Sequence, residues 1–103
     1  MSEFEEVGPV QDFPDGTGVA VPVDGRMVAV FRNGDSWHAI DDLCPHMGAS
    51  LAEGYFAEGC VACPWHAWRF SVETGKWEDN PNIAVEVFEV KVEDDQVLVR
   101  VPE

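Results

Sequence analysis

The chain has 103 residues, with 20 acidic against 6 basic side chains and a formal net charge of −14. This length is typical of one domain, residues 1–103, and the charge disfavours binding to nucleic acid or to an anionic membrane. No apolar run approaches the roughly 18 residues that a membrane-spanning helix needs, and the acidic first residues, Met1 to Glu6, have no signal-like segment. We therefore expect a soluble, cytoplasmic protein.

The first part of the chain carries hairpin signals. Gly18–Val23 and Arg26–Phe31 are rich in valine and flank Asp24-Gly25, a strong turn dipeptide. Asn33-Gly34 marks a second turn, and residues 36–40 follow it as another strand. The pattern predicts three strands before the first cysteine.

Residues 44–80 hold all three cysteines, two of the three histidines and three of the four tryptophans. Within this segment, residues 68–72 predict a short strand and residues 73–76 a turn. Residues 47–54 show no helical periodicity beyond one turn at residues 49–52. The segment therefore predicts loops that carry the chemically active side chains.

The C-terminal part predicts a further hairpin. Ile83–Val92 alternates apolar and charged residues, with a slip at Phe88, and Gln96–Val101 follows the turn Asp94-Asp95. With the strands before residue 44, this pattern indicates a loop-rich, all-β domain.

Two short motifs in the middle segment indicate a metal site. Cys44-Pro45-His46 and Cys63-Pro64-Trp65-His66 each offer one thiolate and one imidazole. An odd number of cysteines disfavours a disulfide framework in a cytoplasmic chain and favours metal binding. Structural zinc in an interaction module is one alternative, but the usual Cys₂His₂ pattern places both cysteines in one arm and both histidines in the other.

A cluster of two irons and two sulfides accounts better for the mixed motifs. One iron can take both thiolates and the other both imidazoles, so that each loop provides one ligand to each iron. With two ferric ions, two sulfides, two thiolates and two neutral imidazoles, such a centre has no net charge, whereas four thiolates in place of the mixed ligands leave it negative. It therefore accepts an electron more easily.

The residues resemble those of a Rieske [2Fe–2S] domain. The resemblance comprises Cys-Pro-His-Met-Gly-Ala-Ser-Leu at residues 44–51, the sixteen residues between His46 and Cys63, and Cys-Pro-Trp-His-Ala-Trp-Arg-Phe at residues 63–70 followed by Thr74-Gly75. It implies an antiparallel β sandwich or barrel, with a cluster-binding subdomain inserted at about residues 44–80.

The same resemblance implies the ligands and the cofactor. Cys44 and Cys63 would bind the inner iron of one [2Fe–2S] cluster, and His46 and His66 the outer iron. Respiratory Rieske proteins carry a disulfide between the loops, and this chain has Ala49 and Trp65 at the matching positions. They also carry a serine and a tyrosine whose hydroxyls hydrogen-bond to cluster sulfur, and the matching residues here are Trp68 and Phe70. With fewer such donors, the resemblance implies a reduction potential toward the low end of the Rieske range, which points away from quinol oxidation.

Several residues of reactive or aromatic type are interpreted as structural. Cys60 and His38 lie outside the two motifs, and the four ligand positions are filled without them. The large side chains of a small β domain are needed in its core. This interpretation applies to Trp37, Trp68, Phe70 and Trp77.

By the resemblance, the chain is a Rieske-type ferredoxin that carries single electrons from an NAD(P)H-dependent flavoprotein reductase to an oxygenase. It would be a monomeric carrier with no catalytic residues, and not an enzyme. The alternative within the family is the small Rieske subunit of an NAD(P)H nitrite reductase, whose partner is the large subunit of that enzyme.

Overall fold

A computed structural model of the protein describes residues 4–43, 49–57, 59–64 and 68–101. These residues form two antiparallel sheets and two short 3₁₀ turns. In chain order the strands are β1 (Glu5–Pro9), β2 (Gly18–Val23), β3 (Arg26–Asn33), β4 (Ser36–Asp41), β5 (Tyr55–Ala57), β6 (Cys60–Ala62), β7 (Arg69–Ser71), β8 (Lys76–Trp77), β9 (Asn80–Ala84), β10 (Val87–Glu93) and β11 (Gln96–Arg100).

The larger sheet has six strands in the order β1-β11-β10-β4-β3-β2, and the smaller one has five in the order β5-β6-β7-β8-β9. The small sheet is therefore contributed by a continuous stretch of chain between β4 and β10. This arrangement confirms the expected all-β fold with a second unit inserted between strands of the first.

The predicted first hairpin is confirmed. Strands β2 and β3 pair in register from Gly18 opposite Phe31 to Val23 opposite Arg26. The turn residues Asp24 and Gly25 both have positive φ, at 50° and 81°, as a two-residue hairpin turn with the right twist requires.

The prediction of only three strands before the first cysteine is wrong, because β1 precedes them. It pairs with β11 at the far end of the chain, and its register shifts between Glu6 and Gly8. This irregularity, together with Pro9, removes the strict alternation by which a strand is found in a sequence.

The run of valine and alanine in β3 is buried on both faces of the strand. Val28 and Val30 belong to one core, whereas Ala29 and Phe31 belong to another, and all four are at most 1% exposed. We call the first the barrel core, which consists of Phe13, Val21, Val23, Val28, Val30, Ala39, Phe88, Val97, Val99 and Val101. We call the second the interface core, which consists of Ala29, Phe31, Ile40, Leu51, Ala52, Val61, Cys63, Phe70, Val72 and Val85.

The prediction of one continuous strand over Ile83–Val92 is also wrong. Strand β9 ends at Ala84 in the small sheet and β10 begins at Val87 in the large one, so the chain crosses between sheets at Val85. Val85 is buried in the interface core and Phe88 in the barrel core. The slip in alternation at Phe88 therefore reflects the change of sheet.

The second predicted hairpin is confirmed in its turn and its last strand. Strands β10 and β11 pair from Glu89 opposite Arg100 to Glu93 opposite Gln96. Asp94 and Asp95 have φ values of 52° and 64°. Aspartate tolerates this left-handed conformation better than most residues with a Cβ, which explains a hairpin turn without glycine.

Candidate metal centre

Of the four predicted ligands, the structure describes Cys63. Cys44, His46 and His66 lie outside the described residues, as does Trp65. The backbone on either side of both ligand motifs is described, and it defines how the two loops leave the fold.

Hydrogen bonds accepted by Asp42 fix the base of the first loop. Leu43 and Ser50 form an antiparallel bridge, and the Leu51 N–H donates to the backbone oxygen of Asp42 over 2.7 Å. Asp42 is 4% exposed, and its carboxylate Oδ1 accepts hydrogen bonds from the Ser50 hydroxyl and the Ala52 N–H, each over 2.9 Å. These hydrogen bonds therefore join the residues directly before Cys44 to the residues directly after the predicted loop.

The second loop lies at the tip of the β6–β7 hairpin. Ala62 pairs with Arg69, and the Cys63 N–H donates to the backbone oxygen of Trp68 over 2.7 Å. Cys63 itself is 2% exposed. Its thiol is thus presented from within the protein.

A glycine brings the bases of the two loops together. A Cβ on Gly54, just after the first loop, would lie 2.0 Å from the backbone oxygen of Ala62, which directly precedes Cys63. No L-residue with a side chain can approach a carbonyl this closely, so glycine is required for packing here and not for its φ of −78°. The end of the first loop thus packs on the start of the second.

Both loop bases are also anchored in the interface core. Leu51 and Ala52 from the first loop base lie in the same buried cluster as Cys63, and Ala49 and Trp68 pack against it. Burial in one core restricts independent motion of the two loops, since protein interiors are close-packed.

The donor set and its surroundings fit a mixed-ligand cluster. The second motif begins with a buried thiol, and the flanks of the first motif pack against the same core. Among the described stretches of the chain, no group of three or more His, Cys, Asp and Glu residues could hold a metal ion. The described residues thus offer no competing metal site beside the two motifs.

Cys60 and His38 lie on strands, which is consistent with their interpretation as structural residues. Cys60 begins β6 and His38 lies in β4, each half-buried on a paired strand. Burial raises the pKa of the Cys60 thiol, Glu78 raises it further, and Arg69 opposes the shift. Cys60 is therefore a neutral thiol at physiological pH.

The aromatic residues interpreted as core contribute to both cores. Phe70 is fully buried in the interface core, and Trp68 and Trp77 pack against that core as partly buried side chains. Trp37 packs instead against the barrel core. The roles of Asp42 and Gly54 were not found from the sequence, although each stands next to a predicted loop.

In the part of the chain that the structure describes, no helix has the length and apolar character needed to cross a bilayer. A family model described as the Rieske [2Fe-2S] domain matches residues 3–99.

The chain is similar to proteins of two kinds. It is 35% identical to the anthranilate 1,2-dioxygenase ferredoxin subunit of Burkholderia cepacia, over 98% of this chain and 94% of that protein. The ferredoxin of carbazole 1,9a-dioxygenase from Nocardioides aromaticivorans superposes with a TM-score of 0.88 at 36% identity, over 97% and 98% of the two chains. A protein assigned as the NADH-dependent nitrite reductase small subunit of Mycobacterium tuberculosis superposes with a TM-score of 0.92 at 25% identity, over 100% and 98%.

A further similar structure is a complex of reduced oxygenase and oxidised ferredoxin in carbazole 1,9a-dioxygenase. Its matching chain has a TM-score of 0.84 at 35% identity, over 93% of this chain and 91% of that one.

Replacement of Asp42 by alanine tests the base of the first loop. Asp42→Ala leaves the partly buried Ser50 hydroxyl and the buried Ala52 N–H without their acceptor. We expect the free energy of unfolding to fall by about 2–4 kcal/mol, measured by urea unfolding of the cluster-free protein. Asp12→Ala, at an exposed aspartate, is the control and should change it by less than about 0.5 kcal/mol. Equal effects of the two changes would contradict the role of Asp42.

Replacement of Gly54 by alanine tests the contact between the loops. The added Cβ must displace the backbone at Ala62, so we expect a loss of about 1–3 kcal/mol in unfolding free energy and a lower iron content after reconstitution. Gly16→Ala is the control, because Gly16 has a φ of 77° but open space around a Cβ. The Gly16→Ala variant has backbone strain without a steric clash, and its iron content after reconstitution should equal that of the wild type. Normal iron content in Gly54→Ala would show that the loop spacing is set elsewhere.

Proposed function

The chain belongs to the Rieske [2Fe–2S] domain family, and on that basis we propose that it carries single electrons from an NAD(P)H-dependent flavoprotein reductase to an oxygenase. The observation that carries this proposal is the 35% identity to a dioxygenase ferredoxin subunit over 98% of this chain and 94% of that protein. The cofactor of the family is a [2Fe–2S] cluster, one in each chain. When bound, it supplies a one-electron redox couple.

We assign Cys44 and Cys63 as ligands of the inner iron, and His46 and His66 as ligands of the outer iron. The burial of Cys63 supports the assignment of the thiolates to the inner position. The mixed motifs support it further, because each loop then contributes to both irons. The cluster-binding subdomain proposed at about residues 44–80 contains all four ligands.

The other residues of the site shape the environment of the metals. Asp42 and Gly54 hold the loop bases at a fixed spacing, and the interface core excludes water beneath Cys63. Such outer contacts orient metal ligands and control the reduction potential through burial and hydrogen bonding. The chain is an electron carrier and not a catalyst, and we assign it no catalytic residue.

The oxygenase role is supported by the similar proteins. A dioxygenase ferredoxin subunit is 35% identical over nearly the full length of both chains, and a solved complex pairs a ferredoxin of similar fold with its oxygenase. A carrier that docks in turn with two proteins is expected to be monomeric. Three cysteines without a disulfide framework favour the cytoplasm.

The second candidate is the small subunit of an NAD(P)H nitrite reductase, with the large subunit as its partner. The TM-score of 0.92 to a protein assigned to that role favours it. Sequence identity favours the first candidate, at 35–36% for the dioxygenase ferredoxins against 25%. A subunit would stay bound to its partner, whereas a ferredoxin exchanges between partners.

The ligand assignment predicts distinct results for cysteine and histidine variants. His46→Cys and His66→Cys each replace one of the two nitrogen donors by sulfur, so we expect the electron paramagnetic resonance spectrum of the reduced protein to differ from that of the wild type, or the cluster to be lost. Cys60→Ser is the control, since its neutral thiol lies outside both motifs, and its spectrum should equal that of the wild type. A changed spectrum in Cys60→Ser, or an unchanged one in both histidine variants, would contradict the assignment.

The surface charge favours a basic docking partner. Three of the basic side chains pair with acids of the same chain: Arg26 with Asp41 and Glu86, Lys91 with Glu93, and Arg100 with Glu89. With these basic groups engaged, the acidic excess of the chain determines its long-range field. Such a field accelerates encounter with a partner of opposite charge.

Electron transfer to this protein should therefore depend on salt. We expect the second-order rate of reduction by the reductase to fall by about tenfold or more between about 0.01 M and about 0.5 M ionic strength, as the Debye length shortens from about 30 Å to a few ångströms. Stopped-flow kinetics with NaCl, and with Na₂SO₄ at matched ionic strength as the control, measure this rate. A constant rate would remove charge from the docking mechanism, and a rate independent of carrier concentration would favour the bound-subunit alternative.

A further inference from the structure

Two tryptophans stack face to face beside the second cluster loop. The ring centroids of Trp68 and Trp77 are 3.6 Å apart, and their planes differ by 7°. By comparison, Trp37 and Phe13 at the barrel core meet edge to face, with ring centroids 5.8 Å apart and an interplanar angle of 73°. The Trp68–Trp77 pair thus forms a flat double layer of indoles against the interface core.

The backbone on both sides of Trp77 is held by the small sheet. Trp77 pairs with Phe70 on one side and with Asn80 on the other. The N–H of Glu78 also donates to the backbone oxygen of Arg69 over 2.8 Å. Trp77 is therefore a fixed support, since its strand is hydrogen-bonded to both neighbours.

Trp68 is placed differently, because it lies just before β7 begins at Arg69. Its backbone oxygen accepts the hydrogen bond from Cys63 that closes the base of the second loop. In the sequence it follows the proposed ligand His66 by two residues. The orientation of Trp68 therefore bears on where the loop that carries His66 returns to the sheet.

No hydrogen bond to a described residue explains why residue 77 is tryptophan. Its indole Nε1 is buried, and among the residues that the structure describes it has no acceptor. A buried donor without a partner is unfavourable, and phenylalanine at this position would avoid it. What the indole provides beyond phenylalanine is a larger flat face for the stack on Trp68.

We propose that Trp77 is a positioning residue for the cluster, which holds the second ligand loop in place through its stack on Trp68. This inference rests on the proposed function, because it takes His66 as a ligand of the outer iron. Groups around a metal site that orient its ligands change metal retention and reduction potential when they are removed. Trp77 acts in this way through the ring of Trp68 and the Cys63–Trp68 hydrogen bond.

Two variants and one control test the proposal in the cluster-loaded protein. Trp77→Leu removes the aromatic face, and Trp77→Phe keeps a smaller one. Trp37→Phe is the matched control, since it truncates a partly buried tryptophan that packs on the barrel core. The measurements are the electron paramagnetic resonance g-values, the reduction potential and the rate of cluster loss to an iron chelator.

We expect a graded response. Trp77→Leu should shift the g-values and the potential and should lose its cluster about tenfold faster or more, with Trp77→Phe intermediate. Trp37→Phe should match the wild type in all three measurements. The proposal is overturned if Trp77→Leu behaves like Trp37→Phe. If Trp77→Leu fails to fold, Trp77→Phe decides, and values equal to the control overturn the proposal.

The same experiment separates this inference from the proposed function. A wild-type protein without a mixed-ligand spectrum would contradict the function itself. A wild-type protein with that spectrum, and Trp77 variants indistinguishable from the control, would contradict only the role of Trp77.

Discussion

The site depends on keeping two separate loops at one distance. If each loop gives one ligand to each iron, a displacement of either loop moves a thiolate and an imidazole together, and both metals are disturbed. The chain sets this distance by contact of backbone with backbone, where Gly54 lies against the carbonyl of Ala62. Such a contact is stiffer than one between side chains, because it contains no rotatable group that can yield.

The predictable parts of the fold are those with local causes. The Asp24-Gly25 and Asp94-Asp95 hairpins follow from turn residues that tolerate positive φ between valine-rich runs. Strand β1 could not be predicted, because its partner β11 is at the other end of the chain and its bulge disrupts the alternation. The crossing between sheets at Val85 could not be predicted either. Strands of both sheets alternate apolar and polar residues with a period of two, and only the slip at Phe88 marks the change of sheet.

The sequence offers the two candidate donor motifs, whose ligand assignment stays a prediction, but it does not reveal the residues that support the loops. The two motifs give the types and the spacing of the candidate donor atoms, and the preference for a metal depends on those donor atoms. The role of Asp42 depends on the approach of Ser50 and Ala52 after a loop, and a lone aspartate before a cysteine also occurs at the end of an ordinary strand. The role of Gly54 depends on residue 62, so no pattern within a short window reveals it.

Strand β3 contributes to both cores, because its alternate residues Val28 and Val30 face the barrel core whereas Ala29 and Phe31 face the interface core. The inserted segment that contains β5 to β9 therefore depends on the large sheet for its packing. On another scaffold the insert would lack the apolar surface of Ala29, Phe31 and Ile40 against which it packs. Its own apolar residues on that side would then be exposed to water. The tolerant places for grafts and fusions are the hairpin tips at residues 24–25 and 94–95, where the turn residues are exposed and neither core is interrupted.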